Sequence, residues 1–147
     1  MRHALLSAAV GAVLVPLTHD PRTFWAALAA GTLIDLDHAL DYVLVHGLRL
    51  DFGAVRSGSY FARSGRVLVP FHSYELVLAA GLLVGWFAGW SLGVGVAAGA
   101  LVHLAWDVGH YGLRPAAYSL AFRISHNFRA SALKRPPRRR EKVPATA

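Results

Sequence analysis

The sequence predicts an all-α membrane protein, a polytopic bundle of about four helices with a metal site at its cytoplasmic end. Two observations predict the fold class. The composition is 55% hydrophobic with a mean hydropathy of +0.42, which is too apolar for an ordinary soluble domain. The apolar residues also fall into long runs separated by short polar stretches. The site is predicted by a third observation, because the few acidic residues lie within or at the ends of those runs.

Four apolar segments are predicted to be helices, and they cover residues 4–17, 24–45, 76–90 and 91–106. Asp20 and Pro21 mark the start of the second helix, because aspartate can cap a helix and proline is tolerated in its first turn. Residues 76–106 carry no charge. As one helix this run would be about 46 Å long, against a bilayer core of roughly 30 Å. We therefore expect a turn near Gly89, which divides the run into two helices.

The basic residues indicate the orientation in the membrane. In a four-helix topology nearly all of them fall on one side, and only Arg22 falls on the other. By the positive-inside rule, both termini and the central loop are cytoplasmic, which predicts a multi-pass protein of the cell (inner) membrane. Residues 1–130 form the predicted membrane-embedded domain. Residues 131–147 form a basic tail that we expect to be disordered and to lie near anionic lipid rather than to bind nucleic acid.

Five of the eight acidic residues lie in or beside the apolar segments: Asp35, Asp37, Asp41, Glu75 and Asp107. Ionisable side chains are rare in such segments unless they face the bundle interior and pair with another group. Histidines are the nearest candidate partners. Asp35 and His38 are three residues apart, as are His72 and Glu75, while His103, Asp107 and His110 follow an i, i+4, i+7 stripe. Each set should therefore share one helix face.

The four-helix topology brings these sets to the same end of the bundle. Five carboxylates there carry a combined charge of −5, which divalent cations would compensate and neutral histidines would not. The chain has no cysteine, so the ligands must be nitrogen and oxygen atoms. Imidazole with carboxylate suits zinc, manganese or iron better than calcium. The sequence thus predicts one or two divalent ions, zinc first, with six candidate ligands: His3, Asp35, His38, His72, His103 and Asp107.

These motifs resemble those of the bacterial inner-membrane-associated, predicted metal-dependent hydrolases, which are distantly similar to zinc-dependent phospholipase C. That family has an amino-terminal histidine, then Pro-Asp-x-Asp-His, His-Arg-Gly-x-x-His-Ser and His-x-x-x-Asp. The matching positions here are His3, 34–38, 67–73 and 103–107, and the resemblance covers most of residues 1–115. Two positions differ. Ile34 replaces the proline, and Val67 stands where the family has its first loop histidine, for which Glu75 is a candidate substitute.

The resemblance implies hydrolysis of a phosphodiester or lipid-type substrate by a metal-activated water. Asp37 or Glu75 would act as the general base, and Arg63 or Arg66 would bind the phosphate. Membrane lipid is then both the surroundings and a candidate substrate.

Two other classes of function fit parts of the sequence. Intramembrane Asp and His residues also mark ion pathways, so the bundle could transport a divalent metal or protons. However, the candidate residues gather at one end rather than near mid-membrane. The second class is a non-catalytic membrane adaptor that presents the basic tail to a partner, and deletion of residues 134–147 would separate it from the hydrolase.

Overall fold

A computed structural model describes residues 2–48, 51–57 and 65–135. Within these ranges the chain is all-α, and the strand-like pairings are two isolated bridges, Arg66 with Arg129 and Leu113 with Lys134. The helices are α1 (Arg2–Thr18), α2 (Arg22–Leu33), α3 (Leu36–His46), α4 (Phe52–Ser57), α5 (Tyr74–Ala88), α6 (Trp90–His110), a 3₁₀ helix (Pro115–Tyr118), α7 (Leu120–Ser125) and α8 (Ala130–Leu133). Arg63 and residues 136–147, which include most of the basic tail, lie outside the described residues.

Helix α6 is the centre of the bundle, because α1, α2 and α5 all pack against it. Small residues make the close approach possible. A Cβ atom on Gly99 would collide with the carbonyl oxygen of Ala27 in α2, and one on Gly81 in α5 would lie 2.8 Å from the Cβ of Ala97 in α6. The predicted turn between α5 and α6 is found at Gly89, whose φ of +109° favours glycine.

The second predicted helix is divided in two at Ile34 and Asp35. The backbone amides of Asp37 and His38 bond to the carbonyls three residues earlier, both at 3.1 Å, which is the bonding of a 3₁₀ turn. In the turn before, the hydroxyl of Thr32 bonds back to the carbonyl of Leu28, a contact that often bends helices. The interruption places Asp35 at the junction of α2 and α3.

The surface of the bundle is unusually apolar, and its interior contains polar and charged side chains beside a hydrophobic core. Helix α5 exposes Trp86 and Phe87 to 77% and 80%. By contrast, the largest fully buried side chains include Arg123, His72 and His103. Among the described helices, α6 is the one long and apolar enough to span a membrane, and α1 and α5 are apolar but shorter.

The segment that follows α6 packs against the segment that precedes α5. Val67, Val69, Ala117 and Leu133 form a small hydrophobic cluster between them. Backbone hydrogen bonds of 2.9 Å run from the Val67 amide to the Phe128 carbonyl and from the Ala130 amide to the Gly65 carbonyl. This part of the chain contains the short 3₁₀ helix and α7, and Arg123 of α7 is fully buried.

Candidate metal centre

His103 of α6 lies at the middle of the candidate site and is fully buried. Its Nδ1 is 2.7 Å from the backbone carbonyl of Gly31 in α2. A carbonyl only accepts hydrogen bonds, so Nδ1 carries a proton, and in the neutral ring the lone pair is on Nε2. Nε2 lies 3.3 Å from Asp35 Oδ1 and 3.4 Å from Asp107 Oδ2, and it is buried without a hydrogen bond of good geometry. It is therefore free to act as a metal ligand.

His72 is held in the same manner from the segment that precedes α5. Asp37 Oδ2 accepts hydrogen bonds from the His72 backbone amide at 2.9 Å and from Nδ1 at 3.1 Å. The other ring nitrogen, Nε2, lies 4.0 Å from Asp35 Oδ1 and is also buried without a hydrogen bond. Metal-binding histidines characteristically donate their second nitrogen to a carboxylate or a carbonyl, which fixes the ring and its tautomer. Both buried histidines have this arrangement.

His3 and Asp107 complete the cluster on its other side. The His3 ring stacks on His103 with their centroids 4.0 Å apart, and His3 Nε2 lies 3.6 Å from Asp107 Oδ1. The hydroxyl of Tyr118 donates to Asp107 Oδ2 at 3.3 Å. Burial, and next the Asp107 carboxylate, raise the pKa of Tyr118 well above its ordinary value, so this hydroxyl keeps its proton and can donate.

Two groups of three residues place their ligand atoms within 4.8 Å of one another: His3, His103 and Asp107, and Asp35, His72 and His103. Donor atoms around a tetrahedral zinc at 2.0–2.1 Å lie about 3.3–3.4 Å apart. The separations of His103 Nε2 from the two carboxylates, 3.3 and 3.4 Å, match this value. These buried His and Asp groups can therefore hold a metal ion. Since Gly31 occupies Nδ1, His103 offers a single ligand atom, which favours one shared ion over two.

The structure thus brings together five of the six predicted ligands. The sixth, His38, lies beside them, with its ring centroid 4.7 Å from that of His72 and its Nε2 4.0 Å from Asp35 Oδ1. Burial, and next the neighbouring His72, lower the pKa of His38 to about 4. The ring is consequently neutral at physiological pH and remains next to the site as a potential ligand or support.

The two residues predicted as general bases make other contacts. Asp37 is engaged by His72, as described above. Glu75 lies in the first turn of α5 and accepts hydrogen bonds from Ser119 Oγ at 2.7 Å and from the Leu120 amide at 2.8 Å. It thereby ties the start of α5 to the start of α7. A general-base role for either carboxylate stays a prediction.

Three groups near the site do not follow from the sequence: the Gly31 carbonyl, Tyr118 and Arg123. A backbone carbonyl has no signal in a sequence, and Tyr118 belongs to a segment outside the apolar runs. In the sequence, Arg123 is a cation among apolar and polar residues. Such a residue fits a membrane surface equally well, so its position does not indicate a role at the site. His110, which shares the predicted stripe, is exposed and stacks on Trp106 instead.

Comparison with protein-family models, curated proteins and solved structures gave no match for this chain.

Proposed function

We propose that this protein is a membrane-bound, metal-dependent hydrolase, with zinc as the first candidate metal and a phosphodiester or lipid-type substrate. One observation carries the proposal: two buried imidazoles have their Nδ1 atoms occupied, by Asp37 and by the Gly31 carbonyl, while their Nε2 atoms approach the same Asp35 carboxylate. A purely structural histidine has no need for this arrangement, whereas a metal ligand does.

The exposure of the ligands favours a catalytic ion over a structural one. His72 and His103 are fully buried and the Asp107 side chain is 5% exposed, but the Asp35 side chain is 51% exposed. The site is thus most open at Asp35, and His3 at 21% is the next most exposed of the five clustered ligands. Catalytic zinc sites keep one position open for water or substrate, whereas structural sites are closed by four protein ligands.

A bound divalent ion would lower the pKa of a water molecule and polarise a phosphoryl oxygen. The chain contributes the geometry for this chemistry. Asp37 holds His72, Gly31 holds His103, and Tyr118 holds Asp107, so each buried ligand has a partner that fixes its direction. The proton of the attacking water would pass to a carboxylate of the site, for which the motifs favour Asp37 or Glu75.

The surface of the bundle supports a membrane location. Large apolar side chains are exposed on α1 and α5, with Leu5 at 71%, Leu17 at 72% and Trp86 at 77%. Such a surface would aggregate in water but would be solvated by lipid. We propose a multi-pass arrangement of α1, α2, α5 and α6, with both termini and the metal centre on the cytoplasmic side of the inner membrane.

An apolar cavity beside the site supports a lipid-type substrate. The cavity is open to the surface, has a volume of about 130 Å³ and is lined by residues of α2, α5 and α6 together with Ile34 and Phe71. Two of its lining residues, Ile34 and Phe71, directly precede Asp35 and His72. A headgroup at the metal would therefore have an apolar space next to it for the start of a hydrocarbon chain.

Metal transport is the second candidate, because it also uses buried Asp and His residues. The candidate ligands gather at one end of α6, and the connection at the opposite end, between α1 and α2, is short. A pathway through the bundle would need ligands along its length, so this arrangement favours a reaction at one surface. A non-catalytic adaptor that presents the basic tail is the third candidate.

The test is a hydrolysis assay on purified protein that has been stripped with a chelator and reloaded with zinc. Phosphate ester cleavage would be followed with a soluble chromogenic phosphodiester and with a phospholipid, for the wild type, for H103A/D107A and for a chain that lacks residues 134–147. We expect zinc-dependent cleavage by the wild type and the truncated chain but none by the double variant. Zinc-loaded wild type that cleaves neither class of substrate would overturn the proposal, and zinc flux in proteoliposomes would then favour transport.

A further inference from the structure

We propose that Arg123 is a positioning residue of the metal centre, which holds the segment of residues 67–72 so that His72 reaches the site. The proposal rests on the metal centre described above. Arg123 comes from α7, far from the ligands in sequence, and no motif assigns it a role.

The contacts of Arg123 lead directly to His72. Its Nη1 donates to the carbonyls of Leu68 at 2.7 Å and Val69 at 2.9 Å. The same Val69 carbonyl accepts the backbone amide of His72 at 3.1 Å. The guanidinium and the His72 amide are therefore joined through one shared oxygen atom. Movement of Arg123 would be transmitted to the backbone that carries the ligand.

The backbone at this point needs outside support. Val69 has a φ of +20° and is 1% exposed. Positive φ is a genuine outlier for a β-branched residue, and such conformations persist only where the surrounding structure holds them. Arg123 binds the carbonyl of Val69 on one side, and Asp37 binds the His72 amide on the other. Together they fix the turn that directs the His72 ring toward Asp35.

The burial of Arg123 indicates that its role is specific. The residue is fully buried, and its Nε and Nη2 atoms have no hydrogen-bond partner among the described residues. Burial lowers the pKa of Arg123, while Asp37 and Glu75 oppose that effect through their charge. A buried cation is expensive, and an apolar side chain of similar volume often stabilises a fold equally well or better. The two carbonyl bonds are the contacts that an apolar replacement would lose.

The first test is a double-mutant cycle on zinc affinity, measured by competition with a chromogenic chelator, with the wild type, R123Q, H72A and R123Q/H72A. Arg114→Gln is the matched control, because Arg114 also donates to a backbone carbonyl, that of Lys134, but at an exposed position. We expect R123Q to weaken zinc binding by about 10-fold or more, as for other supports of metal ligands. In the H72A background the same change should have no further effect, because the ligand through which Arg123 acts is already gone.

The second test does not depend on metal. Hydrogen exchange of the peptide that covers residues 66–73 would be measured in metal-free protein. R123Q should speed exchange at the His72 amide roughly 10-fold, because a bond that protects this segment is lost, and R114Q should leave it unchanged. Should R123Q fail to fold, R123M, an apolar side chain of similar length that donates to neither carbonyl, replaces it in both tests.

The outcomes separate this proposal from the proposed function. Faster exchange in R123Q with no zinc binding by the wild type would show that Arg123 holds residues 67–72 but would overturn the metal centre, and with it the positioning of a ligand. Unchanged exchange, or effects of R123Q and H72A on zinc affinity that simply add, would overturn the positioning role and leave the metal centre intact.

Discussion

Substitution of Asp37 distinguishes two possible roles of this residue. One role is to position His72, and the other is to act as the general base. Its Oδ2 atom accepts two hydrogen bonds from one residue, the His72 amide at 2.9 Å and the ring Nδ1 at 3.1 Å. Both side chains are fully buried, so water cannot replace either bond. Asp37→Asn keeps the size of the side chain but removes its charge. The asparagine side chain then offers at most its neutral amide oxygen to the two donors, the backbone amide and the ring Nδ1 of His72.

The expected effect follows from the two bonds. A hydrogen bond to a charged group contributes about 1.5–3 kcal/mol and a neutral one about 0.5–1.5 kcal/mol, so each bond loses about 1 kcal/mol. The total of about 2 kcal/mol corresponds to zinc binding about 30-fold weaker, which lies within the range for supports of metal ligands. Chelator competition with the purified protein measures this change.

Asp51→Asn is the matched control, because Asp51 also accepts a backbone amide, that of Ala54 at 3.0 Å, but is exposed and outside the site. It should leave zinc affinity unchanged. If D37N binds zinc as the wild type does but no longer hydrolyses substrate at saturating zinc, Asp37 is the general base implied by the motifs and the positioning argument is refuted. If neither property changes, both roles are refuted.

Three further predictions concern the orientation of Asp107, the packing of α2 against α6, and the apolar cavity. Tyr118→Phe removes one 3.3 Å hydrogen bond to Asp107 and should weaken zinc binding about 2- to 10-fold in the chelator assay; an unchanged affinity would show that this bond does not orient Asp107. Gly99→Ala forces α2 and α6 apart and should lower the free energy of unfolding by about 1–3 kcal/mol. Thermal unfolding in detergent measures this, and Gly109→Ala, whose added Cβ meets nothing within 4 Å, should be neutral or stabilising. Ala80→Phe fills the apolar cavity and should reduce cleavage of the phospholipid severalfold while sparing the soluble diester, whereas an equal fall for both would contradict a lipid-binding role for the cavity.

The metal cluster is predictable from the sequence because its ligands obey helix periodicity. His103 and Asp107 are four residues apart on one helix, and the structure places them 3.4 Å from each other. The convergence of the other ligands follows from the up-and-down order of the four predicted helices, which brings the ends that carry the ligands to one side of the bundle. The positions of the acidic residues also indicate the site, because carboxylates in apolar runs require partners.

The parts that the sequence does not predict depend on irregular backbone and on tertiary contacts. The break at Ile34 has no proline to mark it, and Gly31 and Asp35 beside it are also compatible with a continuous helix. Two carbonyls of the segment before α5 accept hydrogen bonds from Arg123, which lies more than 50 positions away in the chain. Side chains that bind backbone carbonyls leave no periodic pattern, so Arg123 looks like any cation beside a membrane surface.

Metal analysis of the purified protein tests the central claim most directly. Elemental mass spectrometry would compare the wild type with H103A/D107A and with His110→Ala, a control in which an exposed histidine of the same helix is removed. We predict about one zinc, manganese or iron per chain in the wild type and in the His110 variant, and none in the double variant. Wild type that is free of metal and cannot be reloaded, or a double variant that keeps its metal, would contradict the account.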